Sequence, residues 1–337
     1  MVMHGSRRLS VLVFILIIII ILSGCNTIFD RIIFFNRRND SENKQEEKYI
    51  NPEPQISQVE VTLYFKHYLA DYLVPEKRVV QKGSQSIEYV IMSELLKGPT
   101  FERVAVMPPS VKLLDVTRNG DTVFVNLSEE FTGDIDLAAM HKETVPEDKK
   151  EGVLAQMKRL CVYSIINSLT ELDGVNRVKI LVNNRALTYE EMGIELIATQ
   201  TANVGKDTPV MALTRNKNFI LTPSEAVRQV FDSLVGEPDW ERIDAFLARK
   251  NTDGSERPPI EEVQKIYSAY VAGLEFDSEN FIMSEEIKPD GEAFVTVTYA
   301  IKYANGKKES RDSDVLRLVN EDGIWKLRSP DFFTAIR

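Results

Sequence analysis

Cysteine, histidine and tryptophan are scarce in this 337-residue chain, with two, three and two copies respectively. Two cysteines, Cys25 and Cys161, cannot build a disulfide framework, so stability must come from core burial. The three histidines are His4, His67 and His141. No H-E-x-x-H, C-x-x-C, G-x-S-x-G or phosphate-binding G-x-x-x-x-G-K-[ST] run occurs, which leaves the common metalloprotease, redox, hydrolase and nucleotide signatures unfilled. There is no basic excess either. Acids outnumber Lys and Arg by 51 to 41, a formal charge of −10, against the basic face that nucleic acid requires. An acidic body also avoids lying flat on anionic lipid. The stretch Leu9 to Leu22, apolar but for Ser10, is 14 residues, short of the roughly 20 that span a bilayer.

That short run is instead placed like an export signal. Arg7 and Arg8 precede it, and Leu22-Ser23-Gly24-Cys25 closes it: a positive n-region, a short h-region and small residues at the cut. The four closing residues resemble a bacterial lipobox. The resemblance implies cleavage between Gly24 and Cys25, acylation of the Cys25 thiol, and a mature chain held by lipid on the extracytoplasmic face of the cell membrane. Cys161 would then be the lone thiol. After Cys25, the apolar Ile28, Phe29, Ile32, Ile33, Phe34 and Phe35 are broken by Asp30 and Arg31 and followed by Arg37 and Arg38. Aromatic rings beside arginines suit a membrane interface and would add a second signal to the acyl chains. The polar stretch from Asn39 to about Gln58, with Pro52 and Pro54, reads as a flexible spacer. The expected segments are a signal peptide over 1–24 and a lipidated tether over 25–56.

Beyond the tether, enough chain remains for two domains at roughly 100–200 residues each. Val59, Val61, Leu63 and Phe65 alternate with polar positions, the period of a half-buried strand. Val79 and Val80 lie in a second extended stretch. A helix is expected from about Ser84, with Ile87, Val90, Ile91 and Leu95 on one stripe and Gly98-Pro99 as its stop. Asn119-Gly120 predicts a hairpin whose second strand buries Val123, Val125 and Leu127. Thr132 to Lys150 reads as an acidic loop. Residues from Val153 to Leu172 then recur at helical spacing, and Val178, Ile180 and Val182 form a further strand before Asn183-Asn184. This order predicts an α+β layer, a small mixed sheet with helices packed on it.

In the same order stand Leu63-Tyr64-Phe65, Arg78, Leu95-Leu96-Lys97-Gly98-Pro99, Pro108-Pro109, Val125-Asn126-Leu127-Ser128, Phe131, Ser168 to Leu172, Gly174-Val175 and Val178 to Val182. This ordered set resembles the sporulation and spore germination (GerMN) domain of Gram-positive bacteria, over residues 57–200. Asn183-Asn184 departs from the Asp-Gly of the pattern, although both pairs suit a tight turn, and the acidic loop is longer than usual. The resemblance implies a non-enzymatic envelope lipoprotein acting in sporulation or germination. It also implies similarity to ring-building modules of membrane-spanning assemblies, hence other envelope proteins or self-assembly as partners.

Residues 201–218 read as a linker and 219–337 as a second domain. Thr222-Pro223-Ser224-Glu225 carries a cap, a first-turn proline and a capping-box glutamate. Ala226, Val227, Val230, Phe231 and Leu234 form its buried stripe. Two more helices carry Trp240, Ile243, Phe246 and Leu247, then Val263, Ile266, Tyr267 and Tyr270. Strands follow, turned at Asp290-Gly291, Asn305-Gly306 and Asp322-Gly323, with strict alternation from Ala293 to Tyr303. Three helices and then an antiparallel curved sheet resemble the NTF2-like cone, as does the closing Asp-Gly-Ile-Trp-Lys.

Candidate chemistry is sparse. His67 reads as a surface or loop residue, and Cys161 as a buried small hydrophobe on its helix stripe. Asp134, Asp136, Glu147 and Asp148 lack the spacing of a calcium loop and read as a solvated acidic segment. Tyr267, Tyr270, Tyr299 and Tyr303 either pack the cone or line a cavity in it. Three functions from different classes stay open. The first is a lipid-anchored interaction module without catalytic residues, metal or cofactor. The second is a lipoprotein receptor binding a small ligand or cell-wall fragment inside the cone. The third is an enzyme pairing a tyrosine with Asp277, Asp312 or Asp314, in a domain that lacks histidine.

Overall fold

The computed structural model describes residues 57–100, 103–135, 137, 145–192 and 207–333. Gly24, Cys25, the aromatic membrane-proximal segment, Asp136 and His141 lie outside the described residues. Gln55–Arg337 is one compact unit built on two hydrophobic cores.

The first core begins with the expected strand, β1 (Gln58–His67), paired antiparallel with β2 (Leu73–Gln81) from Gln58↔Gln81 to Lys66↔Leu73. On its other edge, among the described residues, β1 meets β3 (Arg103–Val104) at Lys66 and His67. Helix α1 (Ile87–Lys97) is capped by Ser86, whose Oγ accepts from Tyr89 N. It stops at Gly98, whose φ of 84° lies in the left-handed region that favours glycine.

A separate mixed sheet follows. β4 (Leu113–Asn119) and β5 (Thr122–Leu127) form the Asn119-Gly120 hairpin, and β5 runs parallel to β6 (Arg177–Val182). The parallel pairing demands a crossover, supplied by helix α2 (Lys150–Leu169). The helix closes three residues before the Leu172 limit of the apolar pattern, because Thr170 caps it and Leu172 sits in the following turn. Asn183 and Asn184 both take positive φ, 47° and 63°, and turn the chain into β7 (Arg185–Ala186), ahead of the one-turn helix α3 (Tyr189–Met192).

Ser164 and Ser168 lie on the buried face of α2 and are both fully buried. Ser168 Oγ accepts from Tyr64 N at 2.9 Å, and Ser164 Oγ donates to Tyr64 O at 2.5 Å. The helix thus satisfies backbone groups of β1 at Tyr64, beyond the pairing with β3 at Lys66 and His67, since buried backbone left unpaired is costly.

The stretch read as a linker is built into this first body where it is described. β8 (Leu213–Thr214) pairs with β6, Pro209 bridges Thr188, and Val210 is buried in the first core. A two-residue strand is too short to show any periodicity.

The second core packs α4 (Pro223–Asp232), α5 (Trp240–Phe246) and α6 (Ile260–Tyr270) against a curled antiparallel sheet of β9 (Val271–Glu275), β10 (Ile282–Ile287), β11 (Glu292–Tyr303), β12 (Lys308–Glu321) and β13 (Ile324–Leu327). Register shifts between Val297 and Tyr299, and between Lys302 and Tyr303, bend β11 and curl the sheet. Its inward alternation runs from Ala293 to Tyr299 and then gives way to the buried run Tyr299, Ala300 and Ile301. The molecule is therefore α+β in both regions. Among the described residues, no helix is long and apolar enough to cross a membrane.

Candidate functional site

Chemistry-bearing side chains gather where the two cores meet. The tip of the β1–β2 hairpin enters the second core: Ala70 and Val74 are buried members of it, and Tyr68, Leu69 and Tyr72 pack on it. Leu221 N donates to Leu73 O at 2.9 Å, so the entry to α4 runs along β2. Thr222 Oγ1 caps α4 by accepting from Glu225 N, while the Glu225 carboxylate accepts from Tyr72 Oη at 2.7 Å. The glutamate placed by the capping motif therefore ties α4 to the hairpin.

His67 is fully buried, which corrects the expected surface position. It ends β1 under the second core, its ring stacked on Phe246 at 4.6 Å and next to Tyr68 at 4.9 Å. Nδ1 accepts from Leu69 N at 3.2 Å, which leaves the imidazole neutral. Burial, then the positive charges of Lys326, Lys66, Arg103 and Arg242, pull its pKa down to about 3. Lys66 beside it is also buried. Burial lowers its pKa, and Asp71, 3.3 Å away, opposes that shift.

Arg103 fastens the other side of the junction. Its side chain is only 4% exposed, and its Nη2 donates to Pro75 O at 2.9 Å and to the carbonyl of Asp322. Asp322 and Gly323 form the tight turn between β12 and β13, with φ of 52° and 85°. A Cβ on Gly323 would lie 2.1 Å from Pro75 O, so only glycine fits both the turn and the contact. Beside this turn lies a cleft of about 890 Å³ containing Lys77, Arg103 and Arg249. Each cation there faces an acid: Glu60 at 3.2 Å from Lys77, Glu76 at 3.8 Å from Arg103, and Asp322 at 3.4 Å from Arg249. Its charge is compensated internally.

Asp277 and Asp312 are exposed and bonded locally, Asp277 accepting from Glu279 N at 3.0 Å and Asp312, within β12, from Ser310 Oγ at 3.1 Å. Asp314 does meet a tyrosine, since Tyr299 Oη donates to it at 2.7 Å. A bulge makes this possible: Ser313 has φ of 61° where the β11–β12 register shifts. Sequence reading named both partners but had no signal for the bulge. Burial and then the Asp314 hydrogen bond raise the Tyr299 pKa, so this phenol stays protonated. Aromatic rings close over it. Phe231 sits 5.2 Å from Tyr299, 5.0 Å from Phe281, 5.4 Å from Phe276 and 6.0 Å from Phe332. These rings pack together inside the curled sheet. Tyr303 is half-buried and packs against that core, whereas Tyr270 is exposed. Cys161 is buried, and burial pushes its thiol pKa up. Asp134, Glu147 and Asp148 are exposed, and Glu147 pairs with Lys150 at 2.9 Å.

The ordered motif of the first region also has a geometry. Arg78 donates to Gly98 O at 2.6 Å and Glu94 O at 3.2 Å, and stands 5.3 Å from the Phe65 ring centroid. It thus caps the carbonyl end of α1, where a cation is favoured. Asn126 exchanges two 2.9 Å hydrogen bonds with Asn184, fixing the β6–β7 turn, and Ser128 Oγ accepts from Lys112 N at 2.9 Å. Arg215 crosses from the former linker to donate to Tyr64 Oη at 2.5 Å and to pair with Glu171 at 2.5 Å.

Residues 62–188 match the Germane family, sporulation and spore germination. The Germane region thus lies within the first body described above. Among solved structures, the tandem GerMN domains of the sporulation protein GerM from Bacillus subtilis are 16% identical with a TM-score of 0.32, over 48% of this chain and 45% of that one. The chain thus spans less than half of that relative. The first GerMN domain of the same protein is 20% identical with a TM-score of 0.28, over 47% of this chain and 98% of that one. A putative lipoprotein from Clostridium perfringens is 17% identical with a TM-score of 0.25, over 49% and 94%. No curated protein matches the chain.

Proposed function

We propose that this protein is a lipid-anchored, extracytoplasmic interaction module of an envelope assembly serving sporulation or germination. The Germane match over residues 62–188 carries this reading. The geometry supports it in two ways. The motif residues Arg78, Asn126, Ser128 and Ser168 hold backbone in place, so the region presents a rigid surface. The His67, Tyr72 and Arg103 contacts then fasten that surface to the second body, so both would act as one piece. The anchor reading rests on Leu22-Ser23-Gly24-Cys25. The receptor reading, with a ligand inside the cone, has less support because the Phe231 cluster occupies that space.

Fractionation of cells carrying Cys25→Ala tests the anchor. The expected result is loss of acyl label and retention of an uncleaved precursor. A Cys25→Ala chain that is still cut after Gly24 and still sediments with membranes would contradict lipidation and assign attachment to the segment around Phe34 and Phe35.

A further inference from the structure

The sheet that opens the fold has an uncovered edge. Its outer strand β2 pairs with β1 and, among the described residues, is otherwise met only where Leu73 bridges Ile220. Along an antiparallel ladder, hydrogen-bonded and unbonded pairs alternate. His67 N donates to Tyr72 O at 2.8 Å and Lys82 N to Ser57 O at 3.0 Å, which sets the phase. Even-numbered residues of β2 therefore bond to β1, and odd-numbered ones turn N–H and C=O outward. Two contacts agree with this phase: Leu73 O accepts from Leu221 N, and Pro75 O from Arg103 Nη2. Past Pro75, the outward backbone groups of Lys77, Val79 and Gln81 have no partner among the described residues.

Open edges template pairing with another chain, and proteins blunt them with bulges, prolines and lysines. β4 and β10, outer strands of the other two sheets, both carry register shifts. β2 runs in unbroken register. Its Pro75 stands where the Gly323 turn already covers the strand, and the Lys77 charge is met by Glu60 at 3.2 Å. Neither device therefore shields the run from Lys77 to Gln81. At its centre Val79 is 67% exposed.

The run is complementary to itself. Laid antiparallel on a second copy about Val79, it sets Lys77 opposite Gln81 of that copy and Val79 opposite Val79. All of these positions turn their bonding groups to the seam, so each facing pair closes with two hydrogen bonds. No like charges oppose one another, and the two exposed valines cover each other. Sliding the register one bonded pair toward the N-terminus would bring in Pro75, which has no N–H to give. In the Val79-centred register, Gly83 of the second copy falls opposite Pro75. There the cleft lined by Pro75, Lys77 and Arg249 leaves room for the turn from β2 into α1. We propose that the protein forms a two-fold dimer through β2, the two hairpins joining as one sheet across a Val79–Val79 seam. The inference goes beyond the assembly reading: it rests on the β2 edge and names a second copy of this chain as the occupant.

Disulfide crosslinking of the full-length protein in mild detergent reads the register. Facing Cα atoms of a bonded pair lie ~5.5 Å apart, within disulfide reach. Two copies of position 77 lie four residues apart along the seam, roughly 14 Å, which is out of reach. Val79→Cys, and the double variant Lys77→Cys with Gln81→Cys, should give a linked dimer well above the parent chain, whose Cys25 and Cys161 set the baseline. Lys77→Cys alone should not. Sedimentation should show a wild-type dimer by about 100 μM. Val79→Pro removes an N–H that bonds nothing within the fold, so it should weaken the dimer roughly tenfold or more at unchanged melting temperature. Val79→Lys, which opposes like charges across the seam, should weaken it as well. Three results overturn the inference: a monomer at that concentration, crosslinking at Val79→Cys no faster than at Lys77→Cys, or an undiminished dimer in Val79→Pro. A monomer would leave the assembly reading standing, since a different envelope protein can meet it.

Discussion

Protonation of His67 should loosen the junction, by an amount that follows from its surroundings. The ring is fully buried against Phe246, and the cations of Lys326, Lys66, Arg103 and Arg242 act on it. Its pKa falls from 6.5 in an unstructured chain to about 3 in the fold. Between those values the unfolded state binds the extra proton. The contribution is thus complete above pH 6.5 and declines as pH falls toward 3, at up to ~1.4 kcal/mol per pH unit. From pH 7 to pH 5 the expected loss is about 2 kcal/mol. Urea unfolding of wild type and His67→Phe at the two pH values isolates it, because other titrating groups contribute to both proteins and cancel in the difference. Phenylalanine keeps the stack on Phe246 and cannot titrate. The wild type should lose about 2 kcal/mol more than the variant over this interval. Equal losses would show that His67 takes up its proton as readily in the fold as out of it, contrary to its buried, cation-lined setting.

Other substitutions probe the same architecture. Gly323→Ala should destabilise by roughly 1–3 kcal/mol in thermal or urea unfolding, through left-handed strain and the clash with Pro75 O. Unchanged stability would mean the two bodies do not touch there. Ser168→Ala should cost about 1–3 kcal/mol by leaving Tyr64 N buried without an acceptor, whereas Ser168→Thr, which keeps the oxygen, should cost less. Cys161 should resist iodoacetamide in the native protein and react once urea passes the unfolding midpoint, since it is buried and its thiol pKa is raised. Rapid native labelling at Cys161 would contradict its place in the first core.

Local rules made much of the fold readable. Alternation gave β1, β5, β6 and most of β11. The Thr222 cap and the Asn119-Gly120 and Asp322-Gly323 turns worked through side chains or backbone torsions close in sequence. What escaped depends on long-range contact. β8 has two residues and exists because β6 offers an edge. His67 looked like a strand-end residue at the surface because nothing nearby in sequence announces that Phe246 will cover it. The Tyr299–Asp314 pair needed the bulge at Ser313, which no turn residue marks. Tyr267 was readable as a packing residue of the second body, but its meeting with Trp240 was not.

Crosslinking of the full-length protein in intact membranes tests the proposed assembly role. Tagged protein would be recovered under denaturing conditions from vegetative and from sporulating cells. The account predicts a defined envelope partner, or ordered self-association, captured in sporulating cells and absent from vegetative ones. A partner-free protein recovered equally from both would contradict it.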